Sequence, residues 1–153
     1  MRIVLQRVTE ASVDVDGETV GAIERGVLLL VGIERGDTEA DVEVLAGKVS
    51  RLRMFPDETG ERPMHHTLAD VGGACLVVSQ FTLLASLKKG NRPGFSDAED
   101  PPRAAALCEA FAARLRALGL PVETGRFGAA MAVGLVNDGP VTLLLEARDG
   151  KVR

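Results

Sequence analysis

The side chains best suited to chemistry are the hydroxyl groups of Ser79 and Thr82, which follow an apolar run, Ala74–Ser79, typical of a buried strand. The end of a buried strand is a reasonable position for a nucleophile, but a hydrolytic triad also needs a base and an orienting group. Only His65 and His66 offer an imidazole base. No GxSxG turn surrounds Ser79, so a Ser/His or Thr/His esterase stays one hypothesis beside polar residues at a sheet edge.

The pattern of histidines and cysteines predicts no metal site. His65 and His66 are adjacent and so not spaced to face one ion together, and we expect both in an exposed loop. Cys75 and Cys108 lie far apart in apolar contexts, which is typical of reduced core thiols, with a disulfide as the alternative. Neither a P-loop nor a GxGxxG turn is present. We therefore expect no metal and no nucleotide cofactor.

Residues 87–95 (LKKGNRPGF) concentrate Lys88, Lys89 and Arg92 in a chain with a net charge of −4 and a pI of about 5.2. Charge clusters in loops are usually only solvated. Here the local charge opposes the global charge, and glycine and proline define the backbone, so contact with phosphate groups is a fair hypothesis. The acidic total and the absence of Trp and Tyr argue against broad, non-specific binding of nucleic acid.

Residues 137–142 (NDGPVT) separate two apolar runs and carry the residue types that tight turns select, so the local pattern predicts a hairpin turn. However, Pro140 stands directly against the second run although proline cannot donate to a sheet ladder. Gly139 permits close approach of the backbone and brings no side chain. A site built here would have to act through main-chain atoms.

The order of the strand-like and helix-like segments around these residues predicts an α+β protein with mixed or antiparallel β-sheet layers and two main helices. The length predicts one domain over residues 1–153. Strands are expected at residues 2–8, 12–15, 18–23, 27–32, 74–79 and 122–127, and on each side of NDGPVT. The first helix should begin at a Thr38–Asp41 capping box and end near Arg53. The second should begin at Pro101 and end before Gly119. No apolar run approaches the length of a membrane span, and we expect a cytoplasmic protein.

Five stretches together resemble the D-aminoacyl-tRNA deacylase family. They are QRVTEASV at residues 6–13, SQFTL at 79–83, KKGNRPGF at 88–95, TGRFGAAM at 124–131 and NDGPVT at 137–142. The resemblance runs from Met1 to about Ala147 in the order and spacing of the family. One short motif has little specificity, whereas five in register along one chain have much more.

The resemblance implies an enzyme that hydrolyses the ester between an amino acid and the terminal adenosine of tRNA before translation uses it. The amino acid is a D-amino acid, or glycine mischarged on alanine tRNA. The family works as a homodimer with its active sites at the subunit interface and uses neither a metal nor a nucleotide. The implied partners are therefore aminoacyl-tRNA and a second copy of the chain, with no membrane.

The family pattern also implies roles for individual residues. Ser79, Gln80, Phe81 and Thr82 match its catalytic motif. Gly139 and Pro140 match a Gly-cis-Pro element that reaches into the partner's pocket and rejects L-amino acids through rigid main-chain atoms.

Further residues are assigned around these two motifs. Arg7 matches an arginine that holds the Gly-Pro element, and Met131 closes TGRFGAAM and is assigned to the substrate site. Lys88, Lys89 and Arg92 are assigned to acceptor-stem phosphates by their charge. His65 stands where the family often has Asn, and no role is carried over to it.

The chemistry leaves alternatives open at this stage. Thr82 is a natural nucleophile candidate, but no side-chain base is evident to activate it, so we favour attack by water assisted by a ribose hydroxyl of the tRNA. In that reading, Ser79 and Thr82 orient the reactants, and main-chain N–H groups stabilise the oxyanion. The alternatives are a non-catalytic module that binds the tRNA acceptor end, and a Thr/His esterase with a covalent intermediate.

Overall fold

The computed structural model describes residues 1–153 and contains one seven-stranded sheet and two helices. The strands are β1 (Arg2–Val15), β2 (Glu18–Ile23), β3 (Gly26–Gly32), β4 (Ala74–Ser79), β5 (Val122–Thr124), β6 (Ala132–Arg148) and β7 (Lys151–Val152). The helices are α1 (Glu39–Arg51) and α2 (Pro101–Ala117), and a short 3₁₀ helix covers Phe81–Leu84. The strand order is β5-β4-β3-β1-β6-β7, with β2 paired to β1. The β3–β4 and β4–β5 pairs are parallel and the others antiparallel, so the predicted mixed α+β sheet is confirmed.

Apolar side chains alternate between the two faces of the sheet, because successive strand residues point in opposite directions. In β3, Val27, Leu29 and Val31 join the larger core, which the two helices cover, whereas Leu28 points into a smaller core on the opposite side. The continuous apolar sequence of β3 thus serves two cores, as expected for a strand buried on both faces.

Both helices have the predicted start signals. The N-cap residue Thr38 and the N3 residue Asp41 form a capping box, and the Thr38 N–H donates to the Asp41 carboxylate at 2.9 Å. Helix α1 ends at Arg51, slightly before the predicted Arg53. Helix α2 begins at Pro101, and Gly119 follows its C-terminal end with φ of +89°. Neither helix has the length and apolar content needed to cross a membrane.

The predicted hairpin turn at residues 137–142 is wrong. Strand β6 runs through this segment without reversing, and both of its flanks pair with β1 in the same antiparallel sense. In this ladder Gln6 pairs with Thr142 and Val8 pairs with Asn137, so residues 138–141 all lie opposite Arg7. The extra residues form a bulge, which we call the Gly-Pro bulge (residues 138–141).

Strand lengths differ from the predictions at other places. Residues 2–8 and 12–15 were predicted as separate strands but belong to the single strand β1. The strand predicted at residues 122–127 ends at Thr124, after which the Gly125 N–H still donates to the Val77 carbonyl at 3.0 Å.

Candidate active site

The SQFTL motif forms a tight turn at the C-terminal end of β4. Ser79 pairs with Val31 of β3, and the Gln80 N–H donates to the Val31 carbonyl oxygen at 2.7 Å. The chain then enters the 3₁₀ helix, and the Gln80 side-chain amide donates to the Thr82 hydroxyl. The turn is therefore anchored to the sheet by its backbone, while Gln80 orients Thr82.

Two main-chain N–H groups of this turn have no acceptor within the 3₁₀ helix. The Leu83 N–H donates to Gln80 O at 3.2 Å and the Ala85 N–H to Thr82 O at 3.1 Å. The N–H groups of Phe81 and Thr82 precede these and make no such bond, as is usual for the first residues of a helix. They are available to an external oxygen.

A cavity of about 410 Å³ opens beside the turn, between the end of β3, residues 95–101 and the first part of α2. Its lining is mostly apolar and includes Ser79, Gln80, Phe81, Phe95, Cys108 and Phe127. A second cavity of about 290 Å³ shares Ser79, Cys108 and Phe127 with the first and adds Glu109 and Arg116. Neither Thr82 nor a histidine lines either cavity. The site thus offers an apolar surface with main-chain donors beside it.

Cys108 is the thiol that lines both cavities. Burial raises the pKa of Cys108 to about 12, so this thiol is neutral near pH 7 and is a poor nucleophile. Burial likewise raises the pKa of Cys75 to about 12. Both cysteines are buried and free, so the predicted reduced state is confirmed and the disulfide alternative is wrong.

The basic segment lies next to the SQFTL turn because two phenylalanines connect them. Phe81 is 58% exposed, and its ring meets the Phe95 ring edge-to-face at 5.0 Å between centroids. Ser86 and Gly94 exchange backbone hydrogen bonds of 2.7 and 3.0 Å, which close the loop between them. Three basic side chains of this loop are exposed and form no ion pair: Lys88, Lys89 and Arg92.

The Gly-Pro bulge is held by Arg7 and Asn137. The Arg7 Nε contacts the Asp138 carbonyl oxygen at 3.3 Å and its carboxylate at 2.9 Å. The Asn137 side-chain amide donates to Arg7 O at 3.0 Å and to Val141 O at 3.1 Å, so it joins both ends of the bulge. Gly139 and Pro140 are exposed, and the peptide bond between them is cis.

The bulge and the SQFTL turn are not brought together within one chain. Val31, beside Ser79, pairs with Ile3 of β1, whereas the bulge lies opposite Arg7 on the far side of β1. With about 3.4 Å per residue along a strand and about 4.8 Å between strands, the two segments are roughly 20 Å apart.

Met131 lines neither cavity. It is half-buried and packs against the smaller core, and a Cβ added at Gly125 would come within 2.8 Å of its sulfur. Gly125 itself lines the smaller cavity. Met131 therefore packs behind the cavity wall in this chain and does not line it.

The histidines are half-buried, which corrects the expectation of exposed loop positions. Residues 65 and 66 exchange backbone hydrogen bonds with Phe55, and the His66 Nε2 lies 3.0 Å from the Glu58 carboxylate. They belong to a small β-bridge on the Arg7 side of the sheet. In this chain neither histidine is available to Ser79 or Thr82.

Phe95 and Phe127 line the larger cavity, although the sequence motifs gave neither of them a role. Phe127 is 43% exposed and lies between the two cavities. The sequence feature that could have drawn attention to Phe95 and Phe127 was the scarcity of aromatic residues. The chain has only five Phe, and both of these lie in glycine-containing segments without apolar periodicity, where a core role is not expected.

Comparison with known proteins gives consistent matches along the chain. A family model described as D-Tyr-tRNA(Tyr) deacylase matches residues 4–146. The D-aminoacyl-tRNA deacylase of Thermomicrobium roseum is 58% identical over 149 residues, which are 97% of this chain and 96% of that protein. The protein of the same name from Halalkalibacterium halodurans is 54% identical over 148 residues, with 97% and 100% covered.

Solved structures agree in fold. A protein described as c-Myc DNA unwinding element binding protein superposes with a TM-score of 0.90 at 41% identity, covering 97% of this chain and 99% of that one. A probable eukaryotic D-amino acid tRNA deacylase superposes with a TM-score of 0.75 at 19% identity, covering 94% and 97%, and shows a likeness of fold alone. The family model spans nearly the whole chain, and the identities to the Thermomicrobium and Halalkalibacterium proteins exceed one half, so this protein belongs to the D-Tyr-tRNA(Tyr) deacylase family.

Proposed function

We propose that this chain hydrolyses the ester that links a D-amino acid to the terminal adenosine of tRNA. The observation that carries the proposal is the turn at Ser79–Thr82, which presents two main-chain N–H groups without an acceptor in their helix beside a mostly apolar cavity. Family membership supplies the substrate class, because relatives more than 50% identical over nearly the whole chain are named D-aminoacyl-tRNA deacylases.

The proposed chemistry is attack by water on the ester carbonyl carbon. The tetrahedral intermediate places negative charge on the former carbonyl oxygen, and the N–H groups of Phe81 and Thr82 stabilise this charge. The bond to the ribose oxygen then breaks, and that oxygen takes up a proton. Because no histidine lines the cavity in this chain, the neighbouring ribose hydroxyl is the group that assists the water.

Thr82→Ala separates an orienting role for Thr82 from a nucleophilic one. The hydroxyl accepts one hydrogen bond from Gln80, and the loss of such a bond costs about 1 kcal/mol. We therefore expect the rate of D-ester hydrolysis in single-turnover assays to stay within about tenfold of the unmodified protein.

The matched control is Thr19→Ala, an exposed threonine of β2 whose hydroxyl donates to Asp14 at 2.7 Å. Abolished activity in Thr82→Ala, together with loss of a trapped acyl-enzyme, would instead establish the covalent esterase mechanism.

Chiral selection is proposed to come from the Gly-Pro bulge. Its exposed end at Gly139 and Pro140 presents main-chain atoms, and no side chain there can adapt to a substrate. An L side chain would meet this backbone, whereas a D side chain or the hydrogen of glycine would point away. This mechanism accepts many D-amino acids and also glycine, including glycine mischarged on alanine tRNA.

The proposed active unit is a homodimer in which the bulge of one copy reaches the SQFTL turn of the other. The roughly 20 Å between the two segments in one chain supports this arrangement. Strand β6 also exposes apolar side chains, since Leu144 is 80% and Val136 is 49% exposed. Apolar surface of this kind is typical of subunit interfaces.

The basic loop is proposed to bind the phosphates of the tRNA acceptor stem. Lys88, Lys89 and Arg92 are exposed, and the Phe81–Phe95 contact keeps their loop next to the cavity. A local basic surface on an acidic protein favours a limited phosphate contact. Aminoacyl-tRNA is abundant in the cytoplasm, which is the proposed place of action.

The experiment that tests this function compares matched D- and L-tyrosyl-tRNA with the purified protein in the presence of a chelator. We expect rapid loss of the D ester while the L ester persists, because the bulge excludes only the L side chain. Persistence of both esters with and without the chelator would support the alternative of a non-catalytic binding module. Loss of both esters would contradict selection by the bulge, and dependence on metal would contradict the proposed chemistry.

A further inference from the structure

The ring of Phe55 lies within reach of two guanidinium groups. The Arg7 Cζ lies 5.8 Å and the Arg25 Cζ 5.2 Å from its centroid, distances at which a cation is attracted to an aromatic face. Phe55 is fully buried, and Arg7 is only 8% exposed. A cation–π contact is stronger when it is shielded from water, so the contact with Arg7 is the more important of the two.

Arg7 connects the Phe55 segment to the Gly-Pro bulge. Its Nη1 donates to the carbonyl oxygen of Met54, and its Nε contacts the carbonyl and carboxylate oxygens of Asp138. One guanidinium group therefore contacts both the Met54–Phe55 segment and Asp138, the residue before Gly139.

The Met54–Phe55 segment is itself fixed by the histidine bridge. His66 O accepts hydrogen bonds from the N–H groups of Met54 at 2.9 Å and Phe55 at 3.1 Å. Phe55 O accepts bonds of 2.8 Å from both His65 and His66. These four bonds fix the backbone of Met54 and Phe55, and full burial of the Phe55 ring restricts its movement beside Arg7.

We propose that Phe55 is a positioning residue for chiral selection, because its ring holds the Arg7 guanidinium in the orientation that fixes the Gly-Pro bulge. This inference rests on the proposed function of the bulge. It assigns a specificity role to a buried core residue that lies on a different element from both motifs. A Phe55 that only fills the core would affect stability and leave the ratio of D- to L-ester hydrolysis unchanged.

The test compares Phe55→Leu with Phe111→Leu. Phe111 is also fully buried and belongs to the same core, but it lies in α2 away from Arg7, so the two changes remove the same side-chain atoms. We expect Phe55→Leu to lower the D/L ratio of kcat/KM by about five- to thirtyfold, the range between an exposed and a desolvated cation–π contact. Phe111→Leu should lower Tm and leave the ratio unchanged.

A second measurement follows the bulge directly. Amide hydrogen exchange of the β6 peptide that contains residues 138–141 should become faster in Phe55→Leu and stay unchanged in Phe111→Leu. If Phe55→Leu does not fold, Phe55→Met, which removes the ring and keeps a long side chain, repeats both measurements.

The outcomes separate this inference from the function on which it rests. If the unmodified protein shows no D-selective hydrolysis, the proposed function fails. If the unmodified protein is selective and the Phe55 variant keeps its full ratio, or if both variants lose the ratio equally, Phe55 is not a positioning residue. A lower ratio and faster exchange in the Phe55 variant alone support the proposal.

Discussion

Gly139→Ala is expected to lower the preference for D esters while leaving the protein folded. A Cβ at this position would lie 3.0 Å from the Asn137 side-chain oxygen. That amide cannot move aside easily, because its nitrogen donates to the backbone carbonyls of Arg7 and Val141. Relieving this contact takes a shift of a few tenths of an ångström in the amide or in the bulge. A shift of about 1 Å at a reacting centre can cost about a hundredfold in rate, so we expect this smaller shift to cost about tenfold. We expect a change of about this size in the D/L ratio, measured with matched tyrosyl-tRNA esters.

The control for this variant is Gly134→Ala, in the same strand. A Cβ at Gly134 would lie 3.5 Å from the Ser12 hydroxyl oxygen, which is an ordinary contact. This variant should keep the rates and the ratio of the unmodified protein. A Gly139→Ala protein with an unchanged ratio would show that the bulge does not select the enantiomer.

Gly26→Ala should have the largest effect on stability of the glycine changes considered. Gly26 pairs with Ala74 where the parallel strands β3 and β4 begin. A Cβ there would lie 1.9 Å from the Ala74 carbonyl oxygen and 2.7 Å from its nitrogen. Backbone atoms in a paired strand cannot rotate away as a side chain can, so the strands must separate locally.

We expect Gly26→Ala to lower the free energy of unfolding by about 3 kcal/mol or more, the upper range for overpacking in a core. Denaturant titration followed by circular dichroism measures this change, with Gly134→Ala again as the strand glycine that has room for a methyl group. A loss below about 1 kcal/mol would show that the start of the β3–β4 pair tolerates separation.

Periodicity and end signals were sufficient to predict most of the framework. The Thr38–Asp41 capping box, the Pro101 start of α2 and the buried runs of β3 and β4 depend on local chemistry, and local chemistry is visible in a sequence. The NDGPVT segment shows where this fails. Its residues suit a tight turn, but pairing of both flanks with β1 outweighs the turn preference. That pairing is a tertiary property.

The candidate site likewise contains parts that the sequence predicted and contacts that it could not predict. The SQFTL turn and the basic loop were found as motifs, and the structure places them side by side through Phe81 and Phe95. The contact of Phe55 with Arg7 could not be predicted, because it joins residues far apart in sequence and follows no spacing rule. The half-buried state of His66 has the same origin, since its partner is the backbone of Phe55.

The Gly-Pro bulge has an entropic consequence that follows from its two paired flanks. A surface loop of similar composition would sample many conformations and would lose that freedom each time a substrate bound. Here the pairing with β1 and the two hydrogen bonds of the Asn137 side chain restrict the backbone of the bulge when the chain folds. In the proposed role, the bulge meets each ester already ordered, so an L side chain cannot be accommodated by letting the backbone relax.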